Sequence, residues 1–132
     1  VIVVRPAQPA DAGVLAAHDE ASAAEASSYR GRPEPVTDGR EALVAELGGV
    51  PVGSLTYTTS DGSWTVVRCF VEPDFRGVGA GDALMEQFLA SARAAGVRRV
   101  GGSALPGDRA TKNLFERNGL VARLILVERG LD

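Results

Sequence analysis

Val71-Glu72-Pro73-Asp74-Phe75-Arg76-Gly77-Val78-Gly79-Ala80-Gly81-Asp82 is the stretch on which the reading of this chain turns. A β-branched and aromatic run precedes it and an amphipathic run follows, so it joins a strand to a helix. Glycines at 77, 79 and 81 strip side chains from the turn and let backbone N–H groups approach a ligand closely. The first turn of the following helix adds N–H donors without intrahelical acceptors, and the positive end of the helix dipole. Such a nest suits a phosphate or diphosphate. The dipole contributes about 0.3–1 kcal/mol, whereas each hydrogen bond to a charged acceptor contributes about 1.5–3 kcal/mol, so the amides dominate. A Walker loop would close on Gly-Lys-Ser/Thr, and this helix begins Gly81-Asp82. A dinucleotide fingerprint would need glycine where Asp82 stands. A glycine-rich turn that binds nothing is the remaining alternative.

Outward from the loop, the pattern predicts the following elements. Val1 to Arg5, stopped by Pro6, reads as a strand. Pro9 to Ala26 reads as a helix opened by Asp11 or the preceding turn, with Val14, Leu15 and His18 at helical spacing. Ser27 to Arg40 is rich in Ser, Gly and Pro and reads as a loop. Glu41 to Leu47, the turn Gly48-Gly49, Pro51 to Thr59, the turn Asp61-Gly62 and Ser63 to Val71 form an antiparallel meander. Gly79 to Ala95 is a helix with Leu84, Phe88, Ala92 and Ala95 on one face, ended by Gly96. Val97 to Leu105 is a strand closed by Pro106-Gly107. Asp108 is the candidate N-cap of a helix through Asn118, with Gly119 as terminator. Leu120 to Arg129 is the last strand. The order β-α-β-β-β-α-β-α-β, in one domain over residues 1–132, predicts an α/β (α+β) fold with a mixed, mostly antiparallel central sheet and flanking helices.

Composition narrows the function. The chain has 132 residues, 45% apolar and 23% charged, with a net charge of -3. That balance argues against a general nucleic-acid binder. No apolar run approaches the roughly 18 residues of a membrane span, and no secretory leader is evident. The expected location is therefore cytoplasmic. The single cysteine, Cys69, excludes an internal disulfide and fits a reducing compartment. One histidine and one cysteine cannot assemble a His/Cys zinc site, so no metal is expected. His18, beside Asp19 in an Ala-rich stretch with no nucleophile signature, reads as an ordinary surface or half-buried histidine. Val1 is not an initiator Met, which is what a processed form or a piece of a longer chain would show.

The central stretch resembles the acetyl-CoA loop of the GNAT superfamily: Arg or Gln, two residues, Gly, one residue, then Gly or Ala. Arg76, Gly79 and Gly81 match that pattern. Val71-Glu72-Pro73 resembles the strand end that leads into it. Asn113-Leu114-Phe115-Glu116-Arg117-Asn118-Gly119-Leu120 resembles the second motif of the family. The element order matches over nearly the whole chain. The resemblance implies an N-acetyltransferase that moves an acetyl group from acetyl-CoA to a primary amine on a small molecule or protein. By that resemblance, Cys69, Phe70 and Val71 face the thioester and pantetheine arm. Arg76, Gly77, Val78, Gly79, Ala80, Gly81 and Asp82 receive the diphosphate, and Asn113 and Phe115 complete the coenzyme site.

Two departures stand out. Members often carry a tyrosine that protonates the departing thiolate, and the matching position here is Phe115. Some carry a catalytic glutamate on the third meander strand, and the matching position here is Thr65. The amine, with an ordinary pKa of about 10.4, still needs a base, and the oxyanion needs a donor such as a strand amide. Tyr29 and Tyr57 are candidate substitutes for the acid, although each has a plainer reading as a core or surface tyrosine. Glu20, Glu25 and Glu46 are candidate bases. Lys112 could reach a coenzyme phosphate or be an exposed helix cation. Asp19, Glu20 and Glu25 would suit a cationic acceptor or form a solvated helix face. The alternative function is a catalytically weak acyl-CoA-binding or regulatory module. The continuous apolar run Leu124-Ile125-Leu126-Val127 fits either a strand buried on both faces or a sheet edge that pairs in a homodimer.

Overall fold

The structure, a computed structural model, describes residues 1–33, 39–60 and 62–131. Its elements are β1 (Ile2–Pro6), a 3-10 turn (Pro9–Asp11), α1 (Ala12–Ala26), β2 (Arg40–Leu47), β3 (Val50–Ser60), β4 (Ser63–Val71), a second 3-10 turn (Pro73–Phe75), α2 (Ala80–Ala94), β5 (Arg99–Gly101) and α3 (Arg109–Arg117). Five strands lie in the order β1-β2-β3-β4-β5. The first four pair antiparallel, and β5 pairs parallel to β4. The expected mixed, mostly antiparallel sheet with flanking helices is therefore the architecture observed.

The β2–β3 hairpin closes through Gly48 (φ 59°) and Gly49 (φ 80°). Two successive positive φ values give the turn whose twist matches that of the strands, and glycine takes them without a Cβ penalty. Of the predicted Asp61-Gly62 turn, Asp61 lies outside the described residues, as do residues 34–38 of the predicted loop. At the start of α1, Gln8 N donates to Asp11 Oδ2 (2.7 Å) and Arg5 grips the same carboxylate at 2.7 and 2.9 Å. The guanidinium holds the Asp11 carboxyl well down, at about 2. Asp108 caps α3 as expected, accepting from Thr111 N at 3.1 Å.

The core lies between the sheet and α2. Leu55, Leu84, Met85 and Phe88 are fully buried there. Phe88 meets Tyr57 edge-on at 5.2 Å, and Tyr57 stacks on Trp64 at 5.0 Å. Each such side chain contributes about 1.5–3 kcal/mol by leaving water. A bulge in β4 divides its side chains between two layers. Val66 pairs with Tyr57 and Arg68 with Thr56, which leaves Val67 as the extra residue. Trp64, Val66, Cys69 and Val71 therefore pack against the core cluster. Arg68 and Phe70 face α1, where they meet Asp19 and His18.

Three expectations are corrected. The strand predicted from Val97 to Leu105 is only Arg99–Gly101. Gly102 ends it, passing so close to Phe115 that a Cβ on Gly102 would lie 2.5 Å from the ring tip. The last predicted strand, Leu120 to Arg129, does not form: residues 120–131 carry no regular structure. A strand needs a neighbour's N–H and C=O groups, and these residues pair with none of the described strands. His18 is not at the surface; it is 1% exposed, enclosed by β3, β4 and the residue after β4.

Candidate active site

The site is built where β5 stops and β4 runs on. β5 pairs with β4 only at Ser63, Trp64 and Thr65. From Val66 to Val71, β4 runs on with no strand on that side among the described residues. Phe115 is 8% exposed and fills the space against Gly102. β4 thus outruns β5, and this step in the sheet, the β4–β5 wedge, has the Cys69-Phe70-Val71 backbone along one side.

The glycine loop lies at the far end of that side. Gly77 (φ 89°) and Gly79 (φ 90°) occupy the left-handed region, and a Cβ on either would meet nothing within 4 Å. Backbone conformation and not crowding is what demands glycine at these two positions. Helical bonding of α2 begins with Ala83 N–H to Gly79 O at 3.0 Å. The amides of Ala80, Gly81 and Asp82 lie in the first turn before that bond, without intrahelical acceptors. Gly81 packs its own Cα side toward Leu114 of α3, where a Cβ would sit 3.5 Å from Leu114 Cδ1.

Arg76 braces the loop. Its Nε donates to Val71 O at 2.8 Å, its Nη2 donates to Glu25 Oε1 at 2.6 Å, and its head lies 5.4 Å from the centre of the Phe70 ring. Asp82 turns its carboxylate toward α3, accepting from Arg117 Nε and Nη2 (both 3.3 Å) and Asn118 Nδ2 (3.1 Å). That engagement directs the negative charge of Asp82 toward α3 and leaves its amide in the first turn of α2. Asn113 is exposed on α3. Cys69 is half-buried, and burial pushes its thiol up to about 12. A thiol so reluctant to ionise is a poor nucleophile.

A buried polar chain crosses the α1 face, and nothing in the sequence had pointed to it. Arg68 Nη1 donates to Ser54 Oγ at 2.8 Å, Ser54 Oγ lies 2.6 Å from His18 Nδ1, and His18 Nε2 lies 3.0 Å from Glu72 Oε1. The Ser54 oxygen already accepts from Arg68, so its hydroxyl donates to Nδ1, and Nε2–H donates to the carboxylate. Burial first of all, with the Arg68 charge adding to it, lowers the His18 pKa. The imidazole is accordingly neutral at pH 7. Arg68 Nε also donates to Asp19 Oδ1 at 2.7 Å. Arg68 Nη2 and Thr56 Oγ1 are buried with no hydrogen-bond partner among the described residues. Ser54 itself is 0% exposed, so this serine–histidine–glutamate arrangement offers no accessible nucleophile.

The other candidates are scattered. The Tyr57 ring is in the core, its hydroxyl donates to Glu41 Oε2 at 3.2 Å, and burial pushes the phenol up to about 12. Its outer side lines a cleft of about 490 Å³ with Leu15, Asp19, Arg40 and Thr56, away from the glycine loop. Tyr29 is half-buried beside Gly107, in the turn that leads into α3. Glu20 is exposed on α1. Glu46 pairs with Arg5 at 3.3 Å on the β1–β2 side of the sheet. Lys112 pairs with Glu116 one turn on, at 3.4 Å. Thr65 is exposed where β5 comes alongside. Among the candidate bases, Glu25 alone is brought to the loop, through Arg76. No group of three or more His, Cys, Asp or Glu that could hold a metal ion occurs among the described residues. Nor, among them, is any helix long and apolar enough to cross a membrane.

The fold as a whole, a mixed sheet with flanking helices, is shared with solved acetyltransferases. One is a ribosomal-protein-alanine N-acetyltransferase from Brucella melitensis biovar Abortus 2308, 17% identical, covering 99% of each chain at a TM-score of 0.74. Another is a predicted acetyltransferase with acetyl-CoA from Clostridium acetobutylicum, 12% identical, covering 98% of this chain and 96% of the other at 0.73. A transcriptional regulator from Bacillus halodurans C-125 is equally similar, at 20% identity, 99% and 100% coverage and 0.75. The sequence profile of the Acetyltransferase (GNAT) family matches residues 14–120. The chain belongs to that family. No curated protein matches it.

Proposed function

We propose that residues 1–132 form one acetyltransferase domain that binds acetyl-CoA in the β4–β5 wedge and passes the acetyl group directly to a primary amine. The observation that carries this reading is the wedge itself: β4 continues beyond Gly101 of β5 and ends at a glycine loop whose amides lack backbone partners among the described residues. The diphosphate sits on the amides of residues 77–82, and the pantetheine arm lies along Cys69, Phe70 and Val71. A β4 amide near Cys69 donates to the developing oxyanion. The acetyl-CoA-bound fold from Clostridium acetobutylicum supports the choice of co-substrate.

Direct transfer is supported by Cys69, the chain's one thiol, whose ionisation burial opposes. Phe115 has no proton to give, so the coenzyme leaves as the thiolate. A thiol of ordinary pKa about 8.5 tolerates this, and the missing acid costs at the lower end of about 10²–10⁴-fold. The neighbour named for ribosomal-protein alanine makes an N-terminal amine one class of acceptor to assay. A lone, half-buried thiol fits a reducing, cytoplasmic setting.

Calorimetric titration with acetyl-CoA, followed by thiol release over an amine panel, tests the reading. Arg76→Glu is expected to weaken acetyl-CoA binding by about 10–200-fold, the loss of one or more charge-assisted bonds. No binding by the parent protein would overturn the assignment. Binding without amine-dependent thiol release would favour the regulatory module that Phe115 and Thr65 suggest.

A further inference from the structure

Thr56 and Arg68 stand opposite each other on β3 and β4, on the face of the sheet that α1 covers. The Cβ atoms of such a pair lie about 4.5–5.5 Å apart. Both residues are more than nine-tenths buried, at 5% and 8% exposure. Yet Thr56 Oγ1 and Arg68 Nη2 bond neither to each other nor to any other group among the described residues. One unmet polar atom shut away from water is costly, and here two are neighbours. Nη2 shares an edge of the guanidinium with Nε, which donates to Asp19 Oδ1 at 2.7 Å. Asp19 and Thr56 in turn line the cleft of about 490 Å³, together with Leu15 on the α1 side and the exposed Arg40 and Glu41 at the start of β2. The unmet pair therefore lies at the inner end of an open cleft, away from the glycine loop.

We infer that this cleft binds a small, neutral, polyhydroxylated molecule the size of a sugar ring, with one hydroxyl set between Thr56 Oγ1 and Arg68 Nη2. A hydroxyl both accepts and donates, so it can take the Nη2–H and share a hydrogen bond with the threonine at the same time. Charge selects against an ionised group there. Arg68 is already matched by Asp19, and a ligand carboxylate would face Asp19 along the same guanidinium edge. At the mouth, Arg40 and Glu41 carry opposite charges. The four charges cancel, so the cleft as a whole calls for neither a cation nor an anion. Carboxylates and guanidinium groups at the mouth can take further hydroxyls, and Leu15 offers an apolar wall to the C–H side of a ring. The volume falls within the range of about 300–1,000 Å³ usual for small-molecule sites. A neutral occupant has no amine to acetylate, so the inference does not rest on the acetyl-CoA reading.

Calorimetric titration of the full chain with glucose tests it, beside glucosamine and glucuronate as charged counterparts and tetrahydropyran as a ring without hydroxyls. Glucose is expected to bind one to one with a Kd of roughly a few millimolar, the affinity that a ligand of its size reaches at ordinary efficiency. Thr56→Val keeps the side-chain volume and should weaken glucose about tenfold, the loss of one buried hydrogen bond with its partner left unmet. The Tm of the unliganded variant should hold or rise, because the hydroxyl removed has no partner there. Leu15→Trp fills the cleft from α1 and should abolish binding. Absence of glucose binding, tetrahydropyran binding as tightly as glucose, or glucosamine or glucuronate binding at least about tenfold more tightly would each overturn the inference. So would Thr56→Val with undiminished glucose affinity, or a glucose-soaked crystal with only a water between Thr56 and Arg68.

Discussion

Gly102→Ala puts the wedge under direct strain, and the structure sets the size of the effect. The added Cβ would lie 2.5 Å from Cζ, 3.0 Å from Cε2 and 3.1 Å from Cε1 of Phe115. Carbon pairs settle at about 3.5–4.0 Å, so ring or strand must give way by about 1 Å. The Phe115 ring is 8% exposed and has little room to retreat. Overpacking of this kind costs about 1–3 kcal/mol. For a domain of this size each kcal/mol lowers Tm by about 3–5 °C. Because Gly102 follows β5 directly, the strand moves with it, and acetyl-CoA affinity should fall alongside stability. Urea denaturation of the parent, Gly102→Ala, Phe115→Leu and the double variant measures the coupling. The smaller leucine should relieve the alanine, so the double variant should be more stable than the sum of the singles by about 1 kcal/mol or more. Gly102→Ala as stable as the parent, or two changes that add within about 0.5 kcal/mol, would refute the account of why β5 stops.

Three further outcomes follow from the site. Glu25→Gln removes a half-exposed partner of Arg76 worth about 0–1 kcal/mol; acetyl-CoA affinity, read by calorimetry, should rise by up to about fivefold, and a weaker complex would count against the loop as the anion site. Burial holds the His18 pKa below its ordinary value of 6.5, so below that pH the unfolded chain takes up a proton that the folded chain resists. Stability should therefore fall as pH drops through the ordinary value toward the folded one, and His18→Gln should flatten that slope in denaturation series; an unchanged slope would disprove it. Cys69, with its thiol near 12, should resist an aromatic disulfide reagent at pH 8 until the protein is unfolded, and rapid stoichiometric labelling of the native chain would contradict direct transfer.

Much of this fold could be read from local sequence because local chemistry dictates it. The paired glycines at 48 and 49 force one kind of turn, Asp108 supplies its own cap, and the Leu84–Phe88–Ala92 spacing marks a buried helix face. The loop from Arg76 to Gly81 could be read for the same reason, since its function resides in backbone freedom. What was hidden depends on register. Val67 looks like any β-branched strand residue, and only the pairing of Val66 with Tyr57 and Arg68 with Thr56 exposes it as a bulge. Residues 18, 54, 68 and 72 become one chain of hydrogen bonds only after that bulge has turned Arg68 toward α1. The run Leu124 to Val127 was read as a strand on propensity, which says nothing about whether a neighbouring edge lies within reach.

α1 is fastened differently from α2. His18 is its one buried residue, meeting Ser54 and Phe70 of the sheet, and the links to carboxylates that tie the helix down run from His18 to Glu72, Asp19 to Arg68 and Glu25 to Arg76. All three of these links have half-exposed carboxylates, and the helix brings no large apolar side chain into the core cluster. Polar fastenings of this kind open at lower free energy than packed ones. Amides of α1 should accordingly exchange with deuterium sooner than those of α2, and added salt should hasten them. The helix tied to the glycine loop through Glu25 and Arg76 is thus the one that opens most readily, with the sheet left undisturbed.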